Sequence, residues 1–143
     1  MSNLTMFLKK NKVQKENTTY AATASLCDEK GKPLEWVIKP LTTSESEAIR
    51  EDCTMEVPIP GKPNMFRQKM NTGKYLAKLI VASVVEPNLN SAELQDSYGE
   101  KPPEKLLQEM ADDPGEYNAF AMFIQEFNHM NTSLQDKVDE AKN

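Results

Sequence analysis

Proline 87 cuts the second half of this chain into separate helices. It lacks an amide hydrogen and drives Glu86 out of helical geometry, so a helix running up to it must end. In Val85-Glu86-Pro87-Asn88-Leu89-Asn90-Ser91-Ala92-Glu93-Leu94-Gln95-Asp96-Ser97-Tyr98-Gly99, a new start follows at once. The short side chain of Asn90 or Ser91 caps the next helix by accepting an orphan amide hydrogen. Gly99 then ends that helix, because glycine adopts the left-handed conformation at low cost. The joint is architectural, and it leaves Leu89, Leu94 and Tyr98 free to pack.

On either side of the joint the apolar spacing is helical. Tyr75, Leu76, Leu79, Ile80, Val84 and Val85 recur at three and four residues from about Thr72, with Lys74 and Lys78 on the wet face. Pro102 or Pro103 opens a helix with Leu106, Leu107 and Met110 inward. Asp113 caps the last helix, with Pro114 in its first turn. Tyr117, Phe120, Ile124, Phe127, Asn131, Leu134 and Val138 form a heptad-like stripe along it. Its aromatic first half reads as core. Its second half, with Ala141, is thinly apolar.

The first half reads differently. Residues 20–27 predict a strand with Tyr20, Ala22, Ala24 and Leu26 on one face, and residues 34–39 a second with Leu34, Trp36 and Ile38 inward. Asp28-Glu29-Lys30-Gly31-Lys32-Pro33 is turn chemistry, so the two make a hairpin with Trp36 in its core. A lone hairpin is marginal in water and must be covered. Ser44 and Glu47 form a capping-box pattern for a helix to about Cys53, with Ala48, Ile49 and Cys53 inward. In residues 54–70, Pro58, Pro60, Gly61 and Pro63 exclude a regular helix. Met55, Val57 and Ile59 alternate as a short edge strand, and Phe66 and Met70 are expected to anchor the segment. The fold class is therefore α+β: an N-terminal β-hairpin, with that short segment as a candidate third strand, packed on a mainly helical C-terminal half with a long last helix. Residues 1–19 are expected to be a flexible arm, 20–130 one domain, and 131–143 the projecting or frayed end of the last helix.

Charge is segregated. Residues 1–16 carry a formal +3 and residues 90–143 a formal −8, within a net charge of −5. The acidic C-terminal third repels phosphate backbones, which argues against nucleic-acid binding. No apolar run approaches the roughly 20 residues a membrane helix needs. Leu4, Met6, Phe7 and Leu8 precede Lys9 and Lys10, the wrong order for a secretory signal. The expectation is a soluble intracellular protein.

No constellation carries catalysis. Cys27 and Cys53 lack metal-ligand spacing and read as small buried apolar residues; a disulfide is not expected in a reducing cytosol. The single histidine, His129, is distant from both cysteines in sequence and reads as a surface residue. The five glycines do not cluster into a phosphate loop, and Asp112-Asp113 suits a helix start. No catalytic, cofactor or metal site is assigned.

Several stretches, in order, resemble the tail assembly chaperones of phages and PBSX-like prophages. They are Asn3-Leu4-Thr5-Met6-Phe7-Leu8; Glu35-Trp36-Val37-Ile38-Lys39-Pro40-Leu41-Thr42 followed by Glu47-Ala48-Ile49-Arg50-Glu51-Asp52-Cys53; Lys74-Tyr75-Leu76-Ala77-Lys78-Leu79-Ile80; the joint at 87–99; and Leu106-Leu107 with Glu116-Tyr117. The resemblance implies a non-enzymatic protein of the bacterial host cytoplasm that binds the tape measure protein, and in some relatives the tail tube protein, keeping the tape measure soluble while the tube assembles. Helix-in-groove binding suits such a client. The expected protein-binding surface is Tyr117, Phe120, Ile124 and Phe127, or the groove beside Leu76 and Ile80; self-association is also compatible with these faces. The alternatives are a structural tail or connector component and a small helical adaptor.

Overall fold

The computed structural model describes residues 3–130. In chain order the elements are α1 (Leu4–Phe7), β1 (Thr18–Tyr20), β2 (Trp36–Ile38), α2 (Thr43–Asp52), β3 (Thr54–Pro58), β4 (Phe66–Met70), α3 (Thr72–Ser83), β5 (Val84–Glu86), α4 (Ala92–Ser97), α5 (Pro103–Met110) and α6 (Pro114–Phe127). The mixed α+β class is as expected. An antiparallel sheet in the order β1-β2-β5 packs against the helical half, and β3 with β4 makes a separate two-stranded ribbon.

The sheet corrects two expectations. The short strand expected at Met55, Val57 and Ile59 is present as β3 but pairs with β4 in the ribbon, and the sheet's third strand is Val84–Glu86, which pairs with β2 through Ile38↔Val84 and Val37↔Glu86. Val84 and Val85 fit the helical stripe of α3, but β-branched residues before a proline also favour extended backbone. The vacant edge of β2 decides between them. The Lys39 amide donates to the Ser83 carbonyl at 2.8 Å just where α3 ends.

The first two strands are also shorter than the alternation implies. They pair over Tyr20↔Trp36, Thr19↔Val37 and Thr18↔Ile38. Between them the chain makes a long excursion, closed by Asp28 Oδ1 accepting from the Lys30 and Lys32 amides at 2.9 and 3.0 Å. Gly31 sits at φ +82°, where a side chain would be strained. The expected inward row fails after Ala22: Thr23 is buried, while Ala24 and Leu34 are exposed.

The core lies between the sheet and helices α3, α5 and α6. Trp36, Ile38, Leu79, Ile80, Leu106, Leu107, Phe120 and Ile124 are essentially inaccessible to solvent. Aromatic rings fasten β1 and β2 to α6. Tyr20 stacks on Phe120 and Phe123 at centroid distances of 5.1 and 4.3 Å, and Trp36 meets Phe120 edge-on at 5.5 Å. Such pairs contribute about 0.5–1.5 kcal/mol each beyond area burial.

The joint behaves as the sequence requires. The Ser91 hydroxyl caps α4 through the Leu94 amide, Gly99 lies at φ +88°, and Leu89 is buried with Leu94 and Tyr98 packed beside the core. Pro103 is the first residue of α5, and Asp113 caps α6 through the Glu116 amide at 2.9 Å. Asn131, Leu134, Val138 and Ala141 lie outside the described residues.

Helix α2 begins two residues earlier than the Ser44–Glu47 pattern suggests. Thr42 and Glu45 form the capping box: Thr42 Oγ1 accepts from the Glu45 amide at 3.1 Å, and Glu45 accepts from the Thr42 amide at 3.0 Å. Buried Leu41 fixes the entry, and its amide donates to Asn128 Oδ1 at 2.8 Å. Consequently Ala48 faces solvent, Ile49 is half-buried, and Cys53 alone of the expected trio is buried.

Lys39 Nζ also reaches Glu45 Oε2 at 2.6 Å, and that hydrogen bond is the main cause holding the Glu45 carboxyl below its usual range. A carboxylate with a depressed folded pKa stabilises the fold above its unfolded pKa and ceases to as pH falls through the folded one. Thr42→Ala should cost about 1 kcal/mol at neutral pH. Lys39→Ala should cost less than about 1 kcal/mol, since the pair is solvent-exposed, and this smaller cost should vanish below the carboxylate range. Urea unfolding of both variants at pH 7 and pH 3 checks this; an undiminished Lys39→Ala deficit at pH 3 would refute the ion-pair account.

Candidate functional site

Among the described residues, no group of three or more His, Cys, Asp or Glu is placed to hold a metal, and no helix is long and apolar enough to cross a membrane. Cys53 is buried at the end of α2, but Cys27 is exposed, contrary to the expectation that both pack as small apolar residues; its Sγ lies 3.0 Å from the Ala24 carbonyl. His129 is exposed at φ +58°. Glu45, Asp52 and Lys78, three groups with perturbed pKa values, belong to architectural ion pairs, and the Arg50 pKa is raised chiefly by its hydrogen bond with Tyr75. Lys78 on α3 joins Asp52 at the end of α2 (3.0 Å) and Glu104 on α5 (3.6 Å), and its hydrogen bond lowers the Asp52 pKa while raising its own.

What remains is surface. Of the expected binding residues, Phe120, Ile124 and Ile80 are fully buried and offer no contact area in the folded chain. Tyr117, Phe127 and Leu76 are partly buried against the same core. The stripe is apolar because it faces the sheet. Its residues are brought together, but as an interior.

Among the described residues, exposed apolar side chains gather in two other places, apart from scattered ones such as Leu34, Val85 and Met122. One is the N-terminal segment, where Met6 and Phe7 are 75% and 82% exposed. The other is the ribbon of β3 and β4, in which no residue of β4 is buried. Phe66 and Met70, expected to anchor this segment, are instead 57% and 37% exposed. The ribbon is closed by a turn in which Ile59 donates to the Met65 carbonyl at 3.0 Å, with Gly61 and Asn64 at positive φ. Its base is tied by the Asn71 amide to the Cys53 carbonyl at 2.8 Å. The opposed pairs are Met55↔Lys69, Glu56↔Gln68, Val57↔Arg67 and Pro58↔Phe66. Directly opposed residues share a face. One face therefore carries Met55, Val57, Ile59, Met65, Arg67 and Lys69. The other carries Thr54, Glu56, Pro58, Phe66, Gln68 and Met70.

The described residues thus form a small aromatic-cored α+β body from which the β3–β4 ribbon protrudes. A profile of the phage XkdN-like tail assembly chaperone proteins matches residues 4–142. The chain belongs to that family. It is similar to the phage-like element PBSX protein XkdN of Bacillus subtilis (strain 168), 21% identical over 140 residues that span 98% of this chain and 93% of the relative. It is equally similar, with the same identity and coverage, to the uncharacterized protein YqbN of that organism. The crystal structure of YqbN superimposes with a TM-score of 0.72 at 16% identity, covering 90% of this chain and 98% of that one, which shows a shared fold. The chaperone family places the protein's role in phage tail assembly.

Proposed function

We propose that this chaperone binds the tape measure protein of its phage or prophage and holds it soluble in the host cytoplasm while the tail tube forms, with the tube protein as a second partner. The family match across residues 4–142 carries the reading. It is supported by exposed methionine and aromatic surface, which suits a binding protein.

Co-expression with the tape measure protein tests it. That protein should move from the insoluble to the soluble fraction when this chain is present, and the chain should be missing from purified mature particles by mass spectrometry. A tape measure protein equally insoluble with and without the chain would end the reading. Stoichiometric amounts of the chain in finished particles would favour a structural tail component instead.

A further inference from the structure

We propose that the β3–β4 ribbon is the client-binding element, and that an acidic amphipathic helix docks across the face carrying Met55, Val57, Ile59, Met65, Arg67 and Lys69. The placement rests on the chaperone reading and deepens it. The ribbon projects without burying any residue of β4, so its apolar side chains do not contribute to the chain's own core. Met55 and Met65 are 54% and 53% exposed, and flexible, polarizable methionines repack against varied helical partners. Beside Met55, a hollow of about 460 Å³ opens between Val57, Lys69 and Met70 on the ribbon and Asn71 and Thr72 at the start of α3.

Charge selects the occupant. Arg67 and Lys69 lie on this apolar face, whereas the ribbon's one acid, Glu56, lies on the other. Two copies meeting through this face would oppose like charges, whereas carboxylates along one side of a helix would complement them. The ribbon's edges suit strand addition poorly. In the antiparallel pattern that pairs Ile59 with Met65, the outward backbone positions on β3 are Thr54, Glu56 and Pro58, and Pro58 has no donor. The β4 edge is only five residues long and carries two cations, features that discourage edge pairing.

The test co-expresses the full chain with its tape measure protein and measures how much of that protein stays soluble and co-purifies at low and high salt. Three variants are compared: Met55→Ser with Met65→Ser, Arg67→Glu with Lys69→Glu, and, on the opposite face, Phe66→Ser. All sites are exposed, and unchanged circular dichroism checks folding. The first two variants should lower recovery about tenfold, the charge reversal most strongly at low salt, while Phe66→Ser stays within about twofold of wild type. Full recovery with all three would overturn the placement and leave the chaperone reading standing. Equal loss from Phe66→Ser would overturn the face assignment, and loss confined to the methionine pair would overturn the acidic partner. Wild-type chain that self-associates, with the charge reversal giving a monomer by light scattering, would make a second copy the occupant and overturn the proposal. If the wild type itself retains no client, the chaperone reading falls and this placement with it.

Discussion

Phe120→Ala is expected to lower the free energy of unfolding by about 3–5 kcal/mol. Phe120 is fully buried in the middle of α6, and two aromatic contacts converge on its ring: Tyr20 of β1 stacks on it and Trp36 of β2 meets it edge-on. Removing the ring takes away the surface on which the sheet rests. The neighbours cannot close the gap cheaply, because Trp36 is held by β2 and Ile124, one turn along α6, is already fully packed. Domains of this size have about 5–15 kcal/mol of stability in all, so the variant should be close to unfolding at 37 °C. The chain's single tryptophan is the reporter: urea unfolding followed by Trp36 fluorescence should show a much lower midpoint. A loss below about 1 kcal/mol would mean that α6 does not support the sheet as described. Phe66→Ala on the exposed ribbon is the matched control, and should change stability by no more than about 0.5 kcal/mol. The same burial means that Phe120→Asp reports on folding rather than on client binding.

This core was legible in outline because burial leaves a period in the sequence. Leu106, Leu107 and Met110 on α5, and Phe120 and Ile124 on α6, sit where helical spacing puts them, and the caps at Ser91 and Asp113 bound their helices as short polar side chains should. Periodicity says that a face is apolar, not whether it turns toward the domain or toward a partner, which is how core residues came to be candidate surface. β4 failed for the opposite reason. Phe-Arg-Gln-Lys-Met is exposed throughout, so no buried face imposes an alternation to read. The third strand of the sheet was hidden because Val84 and Val85 satisfy two patterns, and the choice is made by the distant edge of β2. Two capping boxes overlap in Thr42-Thr43-Ser44-Glu45-Ser46-Glu47. The first wins because Leu41, just before it, is buried and held by Asn128 from the end of α6. The least predictable contact joins residues 92 and 93 positions apart, at Ala24 and Thr23 with Glu116.

Glu116→Ala should cost about 2–4 kcal/mol, a large effect for one acid at a helix start. Glu116 stands in the first turn of α6, where negative charge is favoured, but its carboxylate also holds another part of the chain. Its Oε1 accepts from the Thr23 hydroxyl at 2.8 Å and its Oε2 from the Ala24 amide at 2.8 Å. Thr23 is 1% exposed and lies beyond the end of β1, so no strand ladder positions it. The clamp therefore replaces the strand that the alternation of Tyr20, Ala22 and Ala24 implies, and turns Thr23 inward in place of Ala24. Hydrogen bonds to a charged group contribute about 1.5–3 kcal/mol each, and a buried donor stripped of its acceptor keeps its desolvation cost. Thr23 Oγ1 retains Ser25 as a neighbour at 2.8 Å, which limits the damage. Glu116→Gln should cost only about 1 kcal/mol, because the amide oxygen still accepts from Ala24 and its nitrogen donates to the Thr23 hydroxyl. Thr23→Val removes the other partner at nearly constant shape, so a double-mutant cycle with Glu116→Ala should show a coupling of about 1–2 kcal/mol. Hydrogen exchange supplies a local readout, since the Ala24 amide should lose protection in Glu116→Ala before the core amides of α6 do. Independent effects of the two substitutions, or an Ala24 amide as protected in the variant as in the wild type, would show that the loop is held by packing of Ala22 and Tyr20 instead.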